Sequence, residues 1–380
     1  MLKNNIYSSI FIVNCIMILH LFTLIELTYA QEERWTHYGI RPLSMGNAFV
    51  AVAVDFNALH YNPAGLAKLK TWSLEILNPY IEISKSVVSI YQDISDLTSG
   101  SSRDTSAVLD ILETYTGKTN HIGLGLRPYL LLPKFGLGIA TDLDSSVSFH
   151  RYPSIYLHFG AIITMPIGYA ISLLDDRLQL GATIKFIGKN RIEHEFSIQD
   201  LEVFAKNEQD SNTNESSKLD DFYKSGTRQA LDVGLLCTPI KPMEPTLGIS
   251  IANAIGTPYT KVKIANTTSP SKPDAEIPSI NVGLSLKPWQ TKWSYLLTAL
   301  DIHEINKPYS FSKKFNIGAE WGFGSILKIG AGLHQGYFSA GFQIDAILLK
   351  LRFVTYAEEM GPASGTCADR RYALQLKLLI

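Results

Sequence analysis

Excess charge of either sign is missing: 34 Lys and Arg stand against 35 Asp and Glu, for a formal net charge of −1. A chain without spare cations is poorly equipped to neutralise phosphates, which argues against nucleic acid as a partner. Cysteine is scarce, with three in 380 residues, and a disulfide scaffold is excluded. Only Cys237 and Cys367 lie beyond the first thirty residues, and their spacing leaves open whether they pair. Long apolar runs are also missing after that point. The best stretch, Ala161 to Leu174, is short and broken by Pro166 and Gly168, so it makes no membrane-spanning helix. Catalytic signatures are absent too. Gly117-Lys118-Thr119 resembles the end of a phosphate-binding loop, but Leu112 stands where its first Gly belongs. His194-Glu195 and His303-Glu304 lack the second His of a zinc helix. The expectation is a non-enzyme with no catalytic residue, no metal and no cofactor; a lipid-modifying barrel is the remote exception.

Apolar residues, by contrast, make up 46% of the chain while charged ones make up 18%. The mean hydropathy is nonetheless only +0.07, so apolar and polar positions are interleaved. At the N-terminus Lys3 precedes an apolar run from Ile6 to Ile25, followed by Thr28-Tyr29-Ala30 and the polar Gln31-Glu32-Glu33. This reads as a secretory signal peptide over residues 1–30, cut after Ala30, against the alternative of an uncleaved anchor.

The body of the chain alternates with period two. Phe135, Leu137, Ile139, Thr141 and Leu143 oppose Lys134, Gly136, Gly138, Ala140 and Asp142. Phe315, Ile317, Ala319, Trp321 and Phe323 oppose Asn316, Gly318, Glu320 and Gly322, and the pattern returns at Leu327–Leu333 and Tyr372–Ile380. Successive side chains of a strand point to opposite faces, so one face is apolar and the other small or charged.

About fourteen such segments follow Trp72, and their connections alternate between short and long. Short links fall near 132–133, 174–177, 241–245, 288–292, 324–325 and 345–346; longer ones near 91–120, 200–228, 255–276, 304–313 and 357–370. The short link at Gln335-Gly336 departs once from that alternation. Trp72, Trp289 and Trp293 gather at short-link ends, where an interfacial belt belongs. A soluble sandwich would not combine these features. The expected fold is all-β: a transmembrane antiparallel β-barrel of about 14 strands in the bacterial outer membrane, in contact with its lipid. The barrel would occupy residues 72–380.

Residues 31–71 do not read as strand. Their core is Gly46, Ala48, Ala51, Ala53, Asp55, Ala58 and then Asn62-Pro63-Ala64-Gly65. Small residues let backbone pass close to backbone, and Asn-Pro forces a turn. A barrel of this size has a lumen too wide for wall side chains to fill, so an N-terminal hatch inside it is expected.

Gly46-Asn47-Ala48-Phe49-Val50-Ala51-Val52-Ala53, Asp55 and Asn62-Pro63-Ala64-Gly65 resemble the signature of the long-chain fatty-acid transporter (FadL-type) superfamily. Glu358-Glu359, Gly361 and Asp369-Arg370-Arg371-Tyr372 look like its final hairpin. The resemblance implies fourteen strands, a hatch, and passage of hydrophobic small molecules that bind against the hatch and leave sideways through the wall. Its hatch residues, carried over, are Gly46, Ala48, Asp55, Asn62, Pro63, Ala64 and Gly65. Where the family often has two adjacent acids this chain has Val54-Asp55. The lead-in Arg41-Pro42-Leu43-Ser44-Met45-Gly46 is closer to the PorV-type branch, which implies a secretion accessory with a secreted-protein partner as the alternative.

Such a closed lumen would extract apolar cargo from water at about 0.8 kcal/mol per buried methylene. Lateral release needs a break in the wall, for which Arg127-Pro128 and Met165-Pro166 are candidates, unless they are merely tolerated bends. Val108, Ile111, Leu112 and Tyr115 follow helical spacing in the first long loop. Asp104 or Thr105 would cap that helix at its start and Gly117 at its end. Its apolar face would either capture ligand or pack on the rim. Lys134, Asp142, Glu320, Lys328, Lys350 and Arg352 are read as a hydrated, paired lumen wall.

Overall fold

The structure is a computed structural model that describes residues 39–99, 113–150, 154–197, 222–262, 271–346 and 349–379. The signal-peptide expectation therefore lies outside the described residues, as do Val108, Ile111 and Leu112.

Fourteen antiparallel strands close on themselves. They are β1 (Ser73–Leu77 and Tyr80–Ser84), β2 (Thr119–Leu126 and Tyr129–Leu132), β3 (Phe135–Gly138 and Ala140–Phe149), β4 (Ser154–Leu173) and β5 (Leu178–Ser197). Next come β6 (Tyr223–Cys237), β7 (Thr246–Gly256 and Thr260–Lys261), β8 (Ser279–Gln290), β9 (Ser294–Ile302) and β10 (Phe315–Phe323). The circuit ends with β11 (Leu327–His334), β12 (Tyr337–Asp345), β13 (Leu349–Glu359) and β14 (Ala368–Leu379). Each pairs with its sequence neighbour, and β14 closes the ring on β1 through Glu75↔Leu379 and then Arg371↔Ser84 to Gln375↔Tyr80.

Alternation sets which way each face points, and here it is inverted relative to a soluble protein. On β4, Ile163, Met165, Ile167, Tyr169, Ile171 and Leu173 are exposed while Thr164, Gly168 and Ala170 between them are buried. On β10, Ile317, Trp321 and Phe323 are exposed while Asn316 and Glu320 are 1% exposed. A closed sheet with apolar side chains outside and polar ones inside is soluble only in lipid, which makes this a transmembrane barrel. Trp72, Trp289 and Trp293 sit exposed around the end that carries the short links.

The parity of the links is intact. Gln335-Gly336 joins β11 to β12 at the long-loop end, as 150–153 joins β3 to β4, so both are short connections on the outer side rather than exceptions in order. The wall is uneven: β4 and β5 have 20 residues each and β9, β10 and β12 have 9. At about 3.3 Å per residue and a tilt of roughly 40°, that is about 50 Å against 23 Å of height, around an apolar band of about 25 Å. One side of the barrel therefore rises well above the membrane.

Cys237 ends β6 at the short-link side and Cys367 precedes β14 at the opposite end, and both are free. Pairing them is ruled out by geometry, since a disulfide needs Cα atoms within about 7 Å. Burial, with Glu359 and Asp369 beside it, pushes the Cys367 thiol up and keeps it protonated. Non-reducing and reducing gels of the unfolded chain should therefore give the same mobility, and a faster non-reduced band would contradict this placement.

The first long loop holds a helix that sequence periodicity did not place: α3 (Lys85–Ser99), so numbered because two shorter helices described below precede it. Tyr115, read on a face that either captures ligand or packs on the rim, is 3% exposed and donates its hydroxyl to Asp93 of α3 at 2.6 Å. The Lys118 ammonium lies over its ring at 4.9 Å. Gly117 does adopt the left-handed conformation of a helix end, φ +78°. Lys134, expected to face the lumen, lies in the β2–β3 turn at φ +68° and is exposed; the turn displaces it from the strand alternation.

Candidate functional site

Residues 39–71 form the unit against which the wall is shaped. They comprise α1 (Ile40–Ser44), α2 (Ala58–Tyr61) and a 3-10 helix (Pro63–Lys68). Local chemistry explains the breaks. After α1 the chain reverses through Gly46 and Asn47, at φ +61° and +62°, residue types that tolerate the left-handed region. The Asp55 carboxylate accepts from the Asn57 N–H at 2.9 Å, an Asx turn that introduces α2. Asn62 is extended because Pro63 follows it, and its Oδ1 accepts the Ala64 N–H at 3.1 Å, capping the 3-10 helix that Pro63 begins.

Packing then joins this segment to the wall at backbone distance. An added Cβ on the wall residue Gly181 would lie 2.3 Å from the Pro63 carbonyl carbon, and one on Gly318 would lie 2.0 Å from the Met45 oxygen. Gly234 meets Asn62 at 2.1 Å and Gly332 meets the Gly46 nitrogen at 2.6 Å in the same way. The small inward face of the strands is thus a seat for the segment, with Met45, Ala48, Phe49, Phe56, Leu59, Tyr61 and Leu66 forming the buried apolar centre against Tyr129, Leu131, Ala170 and Leu297.

Polar bonds key it in place. Asp301 of β9 receives the Phe49 and Val50 N–H groups on one oxygen, at 2.5 and 2.7 Å. Arg41 forks onto Glu320 of β10 with Nε and Nη2 at 2.7 and 2.8 Å, and its Nη1 donates to Asp55 at 2.9 Å. Tyr295 donates to Glu320 at 2.7 Å. Asn62 Nδ2 donates to the carbonyls of Val50 within the segment and Leu235 of β6, at 3.0 and 3.1 Å. The Gly46 N–H donates to Ser339 at 3.0 Å.

All seven residues proposed from the sequence, Gly46, Ala48, Asp55, Asn62, Pro63, Ala64 and Gly65, fall in this one body. Gly65 is held against Ala53, whose oxygen would be 1.6 Å from an added Cβ. Sequence reasoning missed Arg41, Asp301 and Tyr295 as partners. The one available signal was a lone acid, Glu320, among inward small residues.

Beside the segment the wall itself is interrupted. Regular ladder pairing lapses at Asn78-Pro79 in β1, at Arg127-Pro128 in β2 and at Ile139 in β3, where single bonds remain: the Ile139 N–H donates to the Pro128 carbonyl at 2.9 Å and the Leu376 N–H to the Pro79 carbonyl at 3.1 Å. Asn78 bridges the gap: its Nδ2 donates to the Arg127 carbonyl at 2.5 Å and its Oδ1 accepts the Arg127 N–H at 2.6 Å. Arg127 in turn pairs with Asp142 at 2.8 Å and lies over the Tyr80 ring. Pro166, the other candidate break, leaves β4 paired to β5 throughout but falls opposite the interruption in β3.

Above the segment the lumen wall is polar. His121 pairs with Glu82 at 3.0 Å, His158 with Asp144 at 2.7 Å, His334 with Glu358 at 3.2 Å and Arg228 with Glu276 at 2.5 Å. In the loop after β9, burial raises the Glu304 carboxyl despite Lys307, Lys314 and Lys313 nearby. Two small cavities, of about 10 and 20 Å³, flank α1 and are likewise lined mainly by polar groups.

The monoaromatic hydrocarbon channel CymD superposes on this chain with a TM-score of 0.55, over 91% of this chain and 98% of its own, at 9% identity. The Pseudomonas putida toluene transporter TodX gives 0.51, over 91% and 98%, at 8% identity. A Pseudomonas aeruginosa FadL homologue aligns over 89% of this chain and 97% of its own at 9% identity, with a TM-score of 0.42. No protein-family model matches the sequence, and no curated protein matches it. The likeness to CymD and TodX is one of fold: this chain shares the architecture of those barrels.

Proposed function

We propose that the protein is an outer-membrane channel for hydrophobic small molecules, long-chain fatty acids or similar, with residues 31–71 as its hatch and lateral release through the wall. One observation supports this reading: residues 39–71 are seated at backbone distance against the inner wall, and Asp55, Phe56 and Asn57 share a cavity with Asn78 and Arg127, where the pairing of β1 and β2 lapses. Cargo that cannot continue down the axis has the shortest way out through that interruption, into the membrane in which it dissolves best. CymD and TodX, by their names a hydrocarbon channel and a toluene transporter, share the fold and lend the substrate class.

Displacement of a fluorescent long-chain fatty acid from the detergent-solubilised barrel tests it. The variant with Asn62→Ala and Pro63→Ala loses the cap of the 3-10 helix and the bond to Leu235, so binding is expected to weaken by about tenfold for roughly 1–2 kcal/mol of lost seating. No saturable binding to the folded wild type would sink the transport reading. One specific feature favours a second reading, a PorV-type accessory to protein secretion: the lumen wall above the segment is built of ion pairs, into which a hydrocarbon gains nothing by moving. On that reading a secreted protein copurifies and the fatty acid does not bind.

A further inference from the structure

Arg352 of β13 is 9% exposed and borders both cavities beside α1. Its partners are neutral: Nε donates to the Gln343 amide oxygen at 2.5 Å and Nη1 to that of Gln375 at 3.4 Å. Asp55 and Glu75 lie within electrostatic reach of it, but the carboxylates near it make their ion pairs with other cations. Asp55 and Glu320 are taken by Arg41, at 2.9 and 2.7 Å. Glu75 is taken by Lys377 at 2.5 Å, and Asp345 accepts Gln343 and stands 3.9 Å from Lys350. Lys328 of β11, on the 10 Å³ cavity, adds a second cation without a carboxylate at salt-bridge distance among the described residues. Arg127, on the 20 Å³ cavity, is paired with Asp142.

A buried guanidinium presents five N–H donors, and leaving a charge without a counter-charge is costly. Among the described residues two of the five find an acceptor, both of them neutral amide oxygens. The 20 Å³ cavity exceeds the roughly 10–15 Å³ that one water needs, and Ile40, Phe56 and Tyr129 give it an apolar side. Planar, forked donors match a carboxylate better than a spherical ion.

We propose that Arg352 is the anchor of a binding site for a carboxylate-class oxyanion, between α1 and the wall strands β11 to β14. The oxyanion is either a small free anion or the head group of an amphipathic cargo; in the second case the site deepens the transport reading and rests on it. Bound there, it supplies Arg352 and Lys328 with a carboxylate at pairing distance and ties α1 to β13.

The test measures the unfolding midpoint of the full-length barrel in detergent at constant ionic strength, titrated with formate, decanoate or decanol. Both carboxylates are expected to raise the midpoint of the wild type saturably. In Arg352→Gln the apparent affinity for them falls by about tenfold or more, while Arg352→Lys keeps part of it. Decanol is expected to act alike on wild type and Arg352→Gln. Saturation by formate alone identifies a free anion, and a decanoate response far stronger than that to formate identifies a head group. If neither carboxylate raises the wild-type midpoint, or if folded Arg352→Gln responds like wild type, the site is refuted. Should Arg352→Gln not fold, equal responses to decanoate and decanol with none to formate refute it in the wild type alone. The transport reading fails separately: formate then binds while a ten-carbon tail adds nothing to decanoate or decanol.

Discussion

Gly46→Ala should destabilise the barrel by roughly 3–5 kcal/mol, where Gly117→Ala costs about 1–2 kcal/mol. Both glycines sit at positive φ, +61° and +78°, so both substitutions carry the steric penalty of the left-handed region. They differ in what surrounds them. At Gly117 nothing lies within 4 Å of an added Cβ. At Gly46 it meets the Ile317 oxygen at 2.3 Å and the Leu333 oxygen and nitrogen at 2.6 and 2.7 Å. These are backbone atoms of adjacent, paired strands, and they cannot retreat without breaking the β10–β11 ladder at Ile317↔Leu333. The difference between the two variants therefore isolates the seating of the N-terminal segment from the backbone term. Urea midpoints of the heat-modifiable gel transition measure it, and equal losses in the two variants would mean that Gly46 is not seated against β10 and β11.

How much of this was readable in the sequence depends on the range of each interaction. Period-two alternation is local, so about fourteen strands could be counted from Trp72 onward, and the link parity followed from chain order. Asn62-Pro63 and Gly46 were legible because a cap and a left-handed turn are settled within a few residues. The wall glycines were read as a small inner face, but not as a seat. Gly181 and Pro63 are far apart in the chain, and nothing in either says that they meet. Arg41 was likewise read as part of a lead-in motif, because Glu320 is 279 residues away. Helix α3 overlaps the start of the long link read at 91–120, and the helical spacing noticed in that link was the one at 108–115 further along the chain. The bond from Tyr115 to Asp93 of α3 spans 22 residues and was not readable from that spacing.

Arg41→Met should cost about 3–5 kcal/mol, because among the described residues it leaves buried Glu320 with the Tyr295 hydroxyl as its one hydrogen-bond donor. The forked pair is almost fully out of water, with Arg41 also over the Phe49 ring at 5.1 Å, so salt should change the loss little. Replacing both partners, Arg41→Met with Glu320→Met, should recover most of it, since an apolar pair of similar volume needs no desolvation of charge. A double variant as unstable as Arg41→Met would show that the cost lies in lost packing instead. Where the loss appears bears on gating. If Arg41→Met exposes residues 39–71 to protease at an unchanged barrel midpoint, the segment opens as a unit and is free to act as a hatch. If segment and barrel loosen together, the segment belongs to the barrel core, and a passage has to open in the wall where Asn78 bridges to Arg127. The glycine-lined seat and the Asp301 bonds to Phe49 and Val50 favour the second outcome, in which the moving part is the interrupted wall of β1 to β3.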